Sequence, residues 1–274
     1  MNDSQTTHRP PWGRYAELRP HELQAILDVV PVAFVPWGAL EWHGPHLPFG
    51  VDGFTAEAMA ERVAQRTGGV ILPPTWWPIT ALPQRFSISI PSDVVQALWD
   101  AIFAELARIG FRLIVVLTGH YAHGHELLLM DAAETAMARH GIAVLAVPPL
   151  ALVDEDMLDH AAHWETAQML ALRPRLVDLA ALDGLKLRPA ATAVLGQDPR
   201  GATASQGESA LALATERLTI VVRALLRDGG HPSLRELYSR RRVRYQGYVD
   251  AYFRGSWEDA IAAWWEHTAA RSEE

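Results

Sequence analysis

Five consecutive residues, Leu113-Ile114-Val115-Val116-Leu117, carry no polar side chain, which suits a parallel strand covered on both faces. Further apolar runs at Val32 to Val35, Val70 to Leu72 and Ile142 to Val147 are separated by stretches of helical spacing. One such stretch extends from about Gly53 to Arg66 and stops at Gly68 and Gly69. Another takes Ser92 as its N-cap, sets Val95, Leu98, Ile102, Leu106 and Ile109 as an apolar stripe, and stops at Gly110. A third covers roughly His125 to Arg139, and a short helix is expected around Pro20 to Val29. Strand, helix, strand in this rhythm predicts right-handed crossovers and an α/β fold with a mostly parallel central sheet.

Polar residues gather where these strands end. The run from Val32 to Val35 empties into Pro36-Trp37-Gly38-Ala39-Leu40-Glu41-Trp42-His43-Gly44-Pro45-His46-Leu47-Pro48-Phe49-Gly50-Val51-Asp52. Glu41 and His43 are two apart, so in extended backbone both side chains leave on one side and can converge on one centre. Asp52 stands just before a helical pattern, where it caps the helix or reaches back toward Glu41 and His43. The strand at Leu113 to Leu117 likewise runs into Thr118-Gly119-His120-Tyr121-Ala122-His123-Gly124-His125. Ligands of open α/β sheets collect beyond the carboxyl ends of strands, where both loops lie. A third segment, Asp159-His160-Ala161-Ala162-His163-Trp164-Glu165-Thr166-Ala167, precedes the apolar helix from Gln168. Seven of the 12 histidines fall in these three segments, a concentration that points to a metal centre assembled from three loops. Carboxylates and imidazoles without thiolate suit Zn, Mn or Fe(II).

The first loop fits P-x-G-x-x-E-x-H-G-x-H-L-P followed by an Asp, and thereby resembles the creatininase (creatinine amidohydrolase) family of metal-dependent hydrolases. Gly119, His120 and Tyr121 match the family's N-G-H-Y-E-N variant, with Ala122 where that variant has a metal-binding Glu. His160, Ala161, Glu165 and Thr166 match its H-A-G-E-x-E-T-S segment, and Gly196 to Gly207 resembles a weaker G-x-D-P-x-x-A-T-A-x-x-G stretch. The resemblance covers roughly residues 30 to 228. It implies a three-layer α/β/α sandwich, Glu41, His43, Asp52 and His120 as ligands of two divalent metal ions (Zn, Mn or Fe), and Asp52 as their bridge. It further implies His160 as proton donor or substrate contact. Glu165 is the best remaining carboxylate for the metal site or for holding one of its ligands, although helical spacing alone would equally let it cap or salt-bridge. His123 and His125 stand as alternatives to the missing Glu or as plain loop histidines.

The implied reaction is hydrolysis of a C–N amide bond by metal-activated hydroxide, with a small cyclic amide or lactam as the expected substrate. A formamide or the end of a small peptide is the alternative within the family, and a metal-stabilised, non-catalytic scaffold is the alternative outside catalysis. Trp42, Trp76, Trp77, Trp164, Tyr121 and His123 are the expected substrate-binding side chains, because flat aromatic walls suit such a ligand.

A formal charge of -8 argues against a nucleic-acid or anionic-membrane partner. There is no cysteine, no apolar span long enough to cross a bilayer, and no signal-peptide order in Met1 to Pro11, so the cytoplasm is the expected compartment. Residues 1–274 read as one creatininase-like domain with a helical C-terminal extension over 231–274. In that tail Arg240, Arg241, Arg242 and Arg244 suggest a solvated or salt-bridged face, and Trp257, Trp264 and Trp265 suggest packing or subunit contacts. The resemblance implies a homo-oligomer, with a hexamer as the family precedent.

Overall fold

The computed structural model describes residues 11–270; of the Met1 to Pro11 stretch read for a signal peptide, residues 1–10 lie outside them. Five strands form one sheet: β1 (Trp12–Arg14), β2 (Val32–Trp37), β3 (Gly69–Ile71), β4 (Leu113–Thr118) and β5 (Ala143–Ala146). Their order is β1-β3-β2-β4-β5, and every pair is parallel. Strands β2 to β5 are buried along their whole length, the consequence of helices on both faces.

The crossovers are α2 (Val51–Thr67), α3 (Ser92–Ile109) and α4 (His123–His140). Helix α2 carries the chain from β2 to β3 on one side, and α4 carries it from β4 to β5 on the other. Strands β2 and β4 are neighbours, paired from Val32 with Leu113 to Trp37 with Thr118. They therefore flank the point where the direction of winding reverses, and their carboxyl ends open a crevice there. Helices α3 and α4 pack together, while α2 packs with α5 (His163–Leu172) and α7 (Ala204–Asp228), giving the three-layer α/β/α sandwich.

Two details depart from the sequence reading. Ser92 is the first helical residue of α3, after Pro91, and its amide and hydroxyl donate to the Glu258 carboxylate rather than capping the helix. The buried face of α3 is Val95, Trp99, Phe103 and Leu106, whereas Leu98 is 37% exposed. Apolar residues occupy both 98/99 and 102/103, so spacing alone admits either phase, and the sheet selects the larger aromatic pair. Trp99 then packs edge-on against Trp37 at the end of β2, ring centres 5.1 Å apart. Gly110 does end the helix, in the left-handed region at φ 117°.

Beyond α7, α8 (His231–Tyr252) and α9 (Trp257–Ala270) pack on each other and on α4. The arginine run is only partly surface: Arg241 is 4% exposed and bonds Glu126 of α4, Glu155 and the Tyr245 hydroxyl.

Candidate metal centre

The loops after β2 and β4 can approach only because both contain glycine. A Cβ on Gly38 would overlap the Gly53 amide nitrogen, and one on Gly119 would overlap the Asp52 carbonyl oxygen. The two loops thus close on the first turn of α2, and Asp52, its second residue, is held beneath both. Glu41, His43, Asp52, His120 and Glu165 are all buried, with Glu165 delivered by the first turn of α5.

Backbone carbonyls orient the imidazoles. His43 donates Nδ1–H to its neighbour Glu41 C=O (3.0 Å), His120 donates Nε2–H to Ile79 C=O (3.0 Å), and His160 donates Nε2–H to Trp42 C=O (3.0 Å). The other nitrogen of each ring therefore turns inward with a free lone pair. His43 Nε2 lies 2.9 Å from Asp52 Oδ1 and 3.4 Å from Glu165 Oε2. On the other side, His120 Nδ1 lies 2.9 Å from Glu41 Oε2 and 3.3 Å from Asp52 Oδ2. Backbone amides fix two of the carboxylates: Leu82 N–H donates to Glu41 Oε1 (2.5 Å), the oxygen turned away from His120, and Ala161 N–H donates to Glu165 Oε2 (2.6 Å), the oxygen that also faces His43. Ala161 sits at φ 49°, a left-handed turn that aims its amide at Glu165.

Glu41 Oε2, His43 Nε2 and both oxygens of Asp52 are buried without a hydrogen-bond donor. Opposed lone pairs at such distances require a cation between them, a proton or a metal ion. In the protonated form, burial works against His120, but Glu41 and Asp52 overcome it and hold this imidazole up at about 10; Asp52 and Glu165 likewise raise His43. Burial would raise Asp52, and the two imidazoles instead pull it below the usual carboxylate range. The donors fit metal better than protons. Separations of 2.9 to 3.4 Å are those of donors sharing one ion at roughly 2.0 to 2.2 Å each. Two triplets emerge, Glu41-Asp52-His120 and His43-Asp52-Glu165, and Asp52 contributes one oxygen to each. A third, Glu41-His43-His160, includes His160, whose Nδ1 is 4.0 Å from Glu41 Oε2 and whose ring lies 4.3 Å from that of His43.

A cavity of about 170 Å³ opens above the cluster, lined by Glu41, Asp52, His120, Tyr121, His160 and Glu165 among others. His123 lines it too, stacked on Tyr245 with ring centres 4.5 Å apart, but it joins none of the metal triplets; nor does His125, which is buried against Trp99 and His120. Ala122 lines the cavity without a ligand atom, and Glu165 completes the triplet with His43 and Asp52. Four expected substrate contacts are placed elsewhere. Trp76 packs on Phe54 over Gly50 and Gly53, Trp77 is 45% exposed and gives its carbonyl to Trp37 Nε1–H, and Trp164 packs on the main core. Trp42 packs against Leu82, Ala161 and Ala193, and meets the site through its carbonyl alone. Sequence reading missed Asp159, which lines the cavity and accepts from the Trp164 and Glu165 amides (2.7 and 3.1 Å). An Asp before a helix beginning four residues later was the available signal.

Such a cluster at the switch point of a parallel sandwich defines a metal-binding α/β protein. The chain belongs to the creatininase family, described as creatinine amidohydrolase, whose match covers residues 16–222. It is 28% identical over 173 residues to the creatinine amidohydrolase of Pseudomonas putida, 54% of this chain but only 66% of that enzyme's length. Over 66% of this chain and 80% of its own length, the mycofactocin precursor peptide peptidase of Mycolicibacterium smegmatis is also 28% identical. Among solved structures, one named creatininase Mn superposes with a TM-score of 0.67 at 25% identity, covering 77% of this chain and 97% of that one.

Proposed function

We propose that the chain is a metal-dependent amidohydrolase that opens a small cyclic amide. The observation that carries this reading is Asp52, whose two unpartnered oxygens face two separate donor groups on the floor of a cavity. Glu41, Asp52 and His120 would hold one divalent ion, and His43, Asp52 and Glu165 the other. Bound there, the ions supply Lewis acidity and a water ionisable near neutral pH. A similar structure is named creatininase Mn, which supports a divalent metal at this site.

The chain's own residues supply the rest. His160, fixed by Trp42 C=O, turns the lone pair of Nδ1 to the cavity, where it takes a proton from the attacking water and passes it to the departing nitrogen. Water's oxygen joins the carbonyl carbon, the C–N bond breaks, and the two protons pass to the nitrogen and to solvent. Asp159 keeps α5 and Glu165 in place through two backbone amides. The cavity lies below the roughly 300 to 1,000 Å³ of drug-sized sites, which favours a compact amide over a peptide chain. The reading also takes the chain as one catalytic domain, assembled as a homo-oligomer in the cytoplasm; no helix among the described residues is long and apolar enough to cross a membrane.

The test is a panel of lactams, formamides and small peptides offered to protein loaded with Zn, Mn or Fe(II). Ring-opened lactam, detected as a mass gain of one water, is the expected product. Cleavage of formamides or peptide ends alone would reassign the substrate, and no cleavage by any metal form would refute the reading.

A further inference from the structure

The cavity is not made by the matched segment alone. Tyr248 of α8 and Ile261 and Trp264 of α9 also line it, and both helices begin after residue 222, where the family match ends. This wall is built into the body. Arg241 joins α8 to Glu126 (2.6 Å) and Glu155 (2.5 Å), and Arg242 joins it to Asp131 and Glu134. Glu258 accepts from the Ser92 amide at the start of α3 (2.6 Å), and Trp257 packs over Gly124 at the start of α4. Tyr248 lines the cavity with its ring against His123, and its hydroxyl is buried without a hydrogen-bond partner.

The chemistry of this wall is specific. Leu82, Leu158, Leu195, Ile261 and Trp264 are apolar, and no Lys or Arg lines the cavity among the described residues. Away from the metal cluster, a substituent bearing a carboxylate finds no cationic side chain, whereas an apolar ring finds complementary surface. A buried hydroxyl without a partner is a handle for one polar atom.

Building on the amidohydrolase reading, we infer that α8 and α9 form the specificity wall of the site. They select neutral amides bearing a compact apolar ring, and Tyr248 Oη hydrogen-bonds a polar atom on that ring. The wall lies outside the matched segment, which ends at residue 222.

The test uses the full chain with 2-pyrrolidinone and 4-phenyl-2-pyrrolidinone. Binding is read by calorimetry on metal-free protein, where turnover cannot intervene, and initial rates are read on metal-loaded protein. The phenyl lactam should bind the unaltered chain at least tenfold tighter than the bare lactam. Trp264→Ala should cut that preference below twofold with metal content unchanged, and Ile261→Ala reads the same preference should that variant fail to accumulate. Tyr248→Phe should weaken a pyridyl homologue at least fivefold and the phenyl lactam less than twofold. No preference in the unaltered chain, or a preference that survives Trp264→Ala and Ile261→Ala, would overturn the inference. Preferential binding without turnover of any lactam would refute the cyclic-amide reading and leave the wall standing; turnover without preference would do the reverse.

Discussion

The floor and the wall of the cavity are built on opposite principles. On the floor, three carboxylates and three imidazoles converge, each imidazole oriented by a backbone carbonyl so that lone pairs face lone pairs. On the α8–α9 wall, two apolar side chains and one partnerless hydroxyl meet the same space, while the charged groups lie behind, paired with one another. Unsatisfied polarity on the floor calls for a cation. Satisfied polarity behind the wall makes a rigid support. Reacting groups and selecting groups can therefore come from different parts of one chain and fail separately.

That separation can be broken by mutation. Asp52→Ala removes the oxygens common to both triplets, so bound metal should fall from two equivalents to less than one and activity to background, read by elemental analysis and rate. Next in size is His160→Gln: kcat should drop by about 10²- to 10⁴-fold, as expected for loss of a general acid. Metal content should stay at two, and a loss of one ion would instead make His160 a ligand. Behind the wall, Arg241→Ala leaves the Glu126 carboxylate buried with the Tyr245 hydroxyl but without its counter-charge, and should cost about 3 to 5 kcal/mol in urea unfolding while metal content holds.

The smallest effects are in the pH dependence of stability. Burial, reinforced by neighbouring positive charge, holds His46 and His123 down at about 4. Both stay neutral in the fold, so their contribution is complete above the unfolded value of about 6.5 and is lost as pH falls from there toward 4. His120 has the opposite sign: raised to about 10, it stabilises metal-free protein below about 6.5 and loses that contribution as pH rises through 10. Melting curves from pH 4 to 10 should show both flanks without metal. Loading metal, which binds neutral imidazole, should remove the alkaline one.

The floor was legible in the sequence because its chemistry is local. Glu41 and His43 share one extended segment, and the glycines that let two loops close on Asp52 stand inside the same motifs. The wall was not. Tyr248, Ile261 and Trp264 follow the site segments by a long stretch of chain, on helices whose arginines and tryptophans read as a charged face and as packing. Adjacent tryptophans at 76 and 77 drew attention because aromatics suit pockets, yet Trp76 covers glycines of α2 instead. Periodicity located α3 and its Gly110 stop, but two equally apolar registers left its buried face open. Strand β1 has three residues at the sheet edge, none buried, and so gave no apolar run to read.

The central claim is that the floor holds two ions with Asp52 between them. Metal content per chain after reconstitution, measured on the unaltered protein beside Asp52→Asn, tests it most directly. Two equivalents in the unaltered chain, with both affinities weakened in Asp52→Asn, is the predicted result. A single ion, or two ions of which Asp52→Asn disturbs only one, would contradict the account.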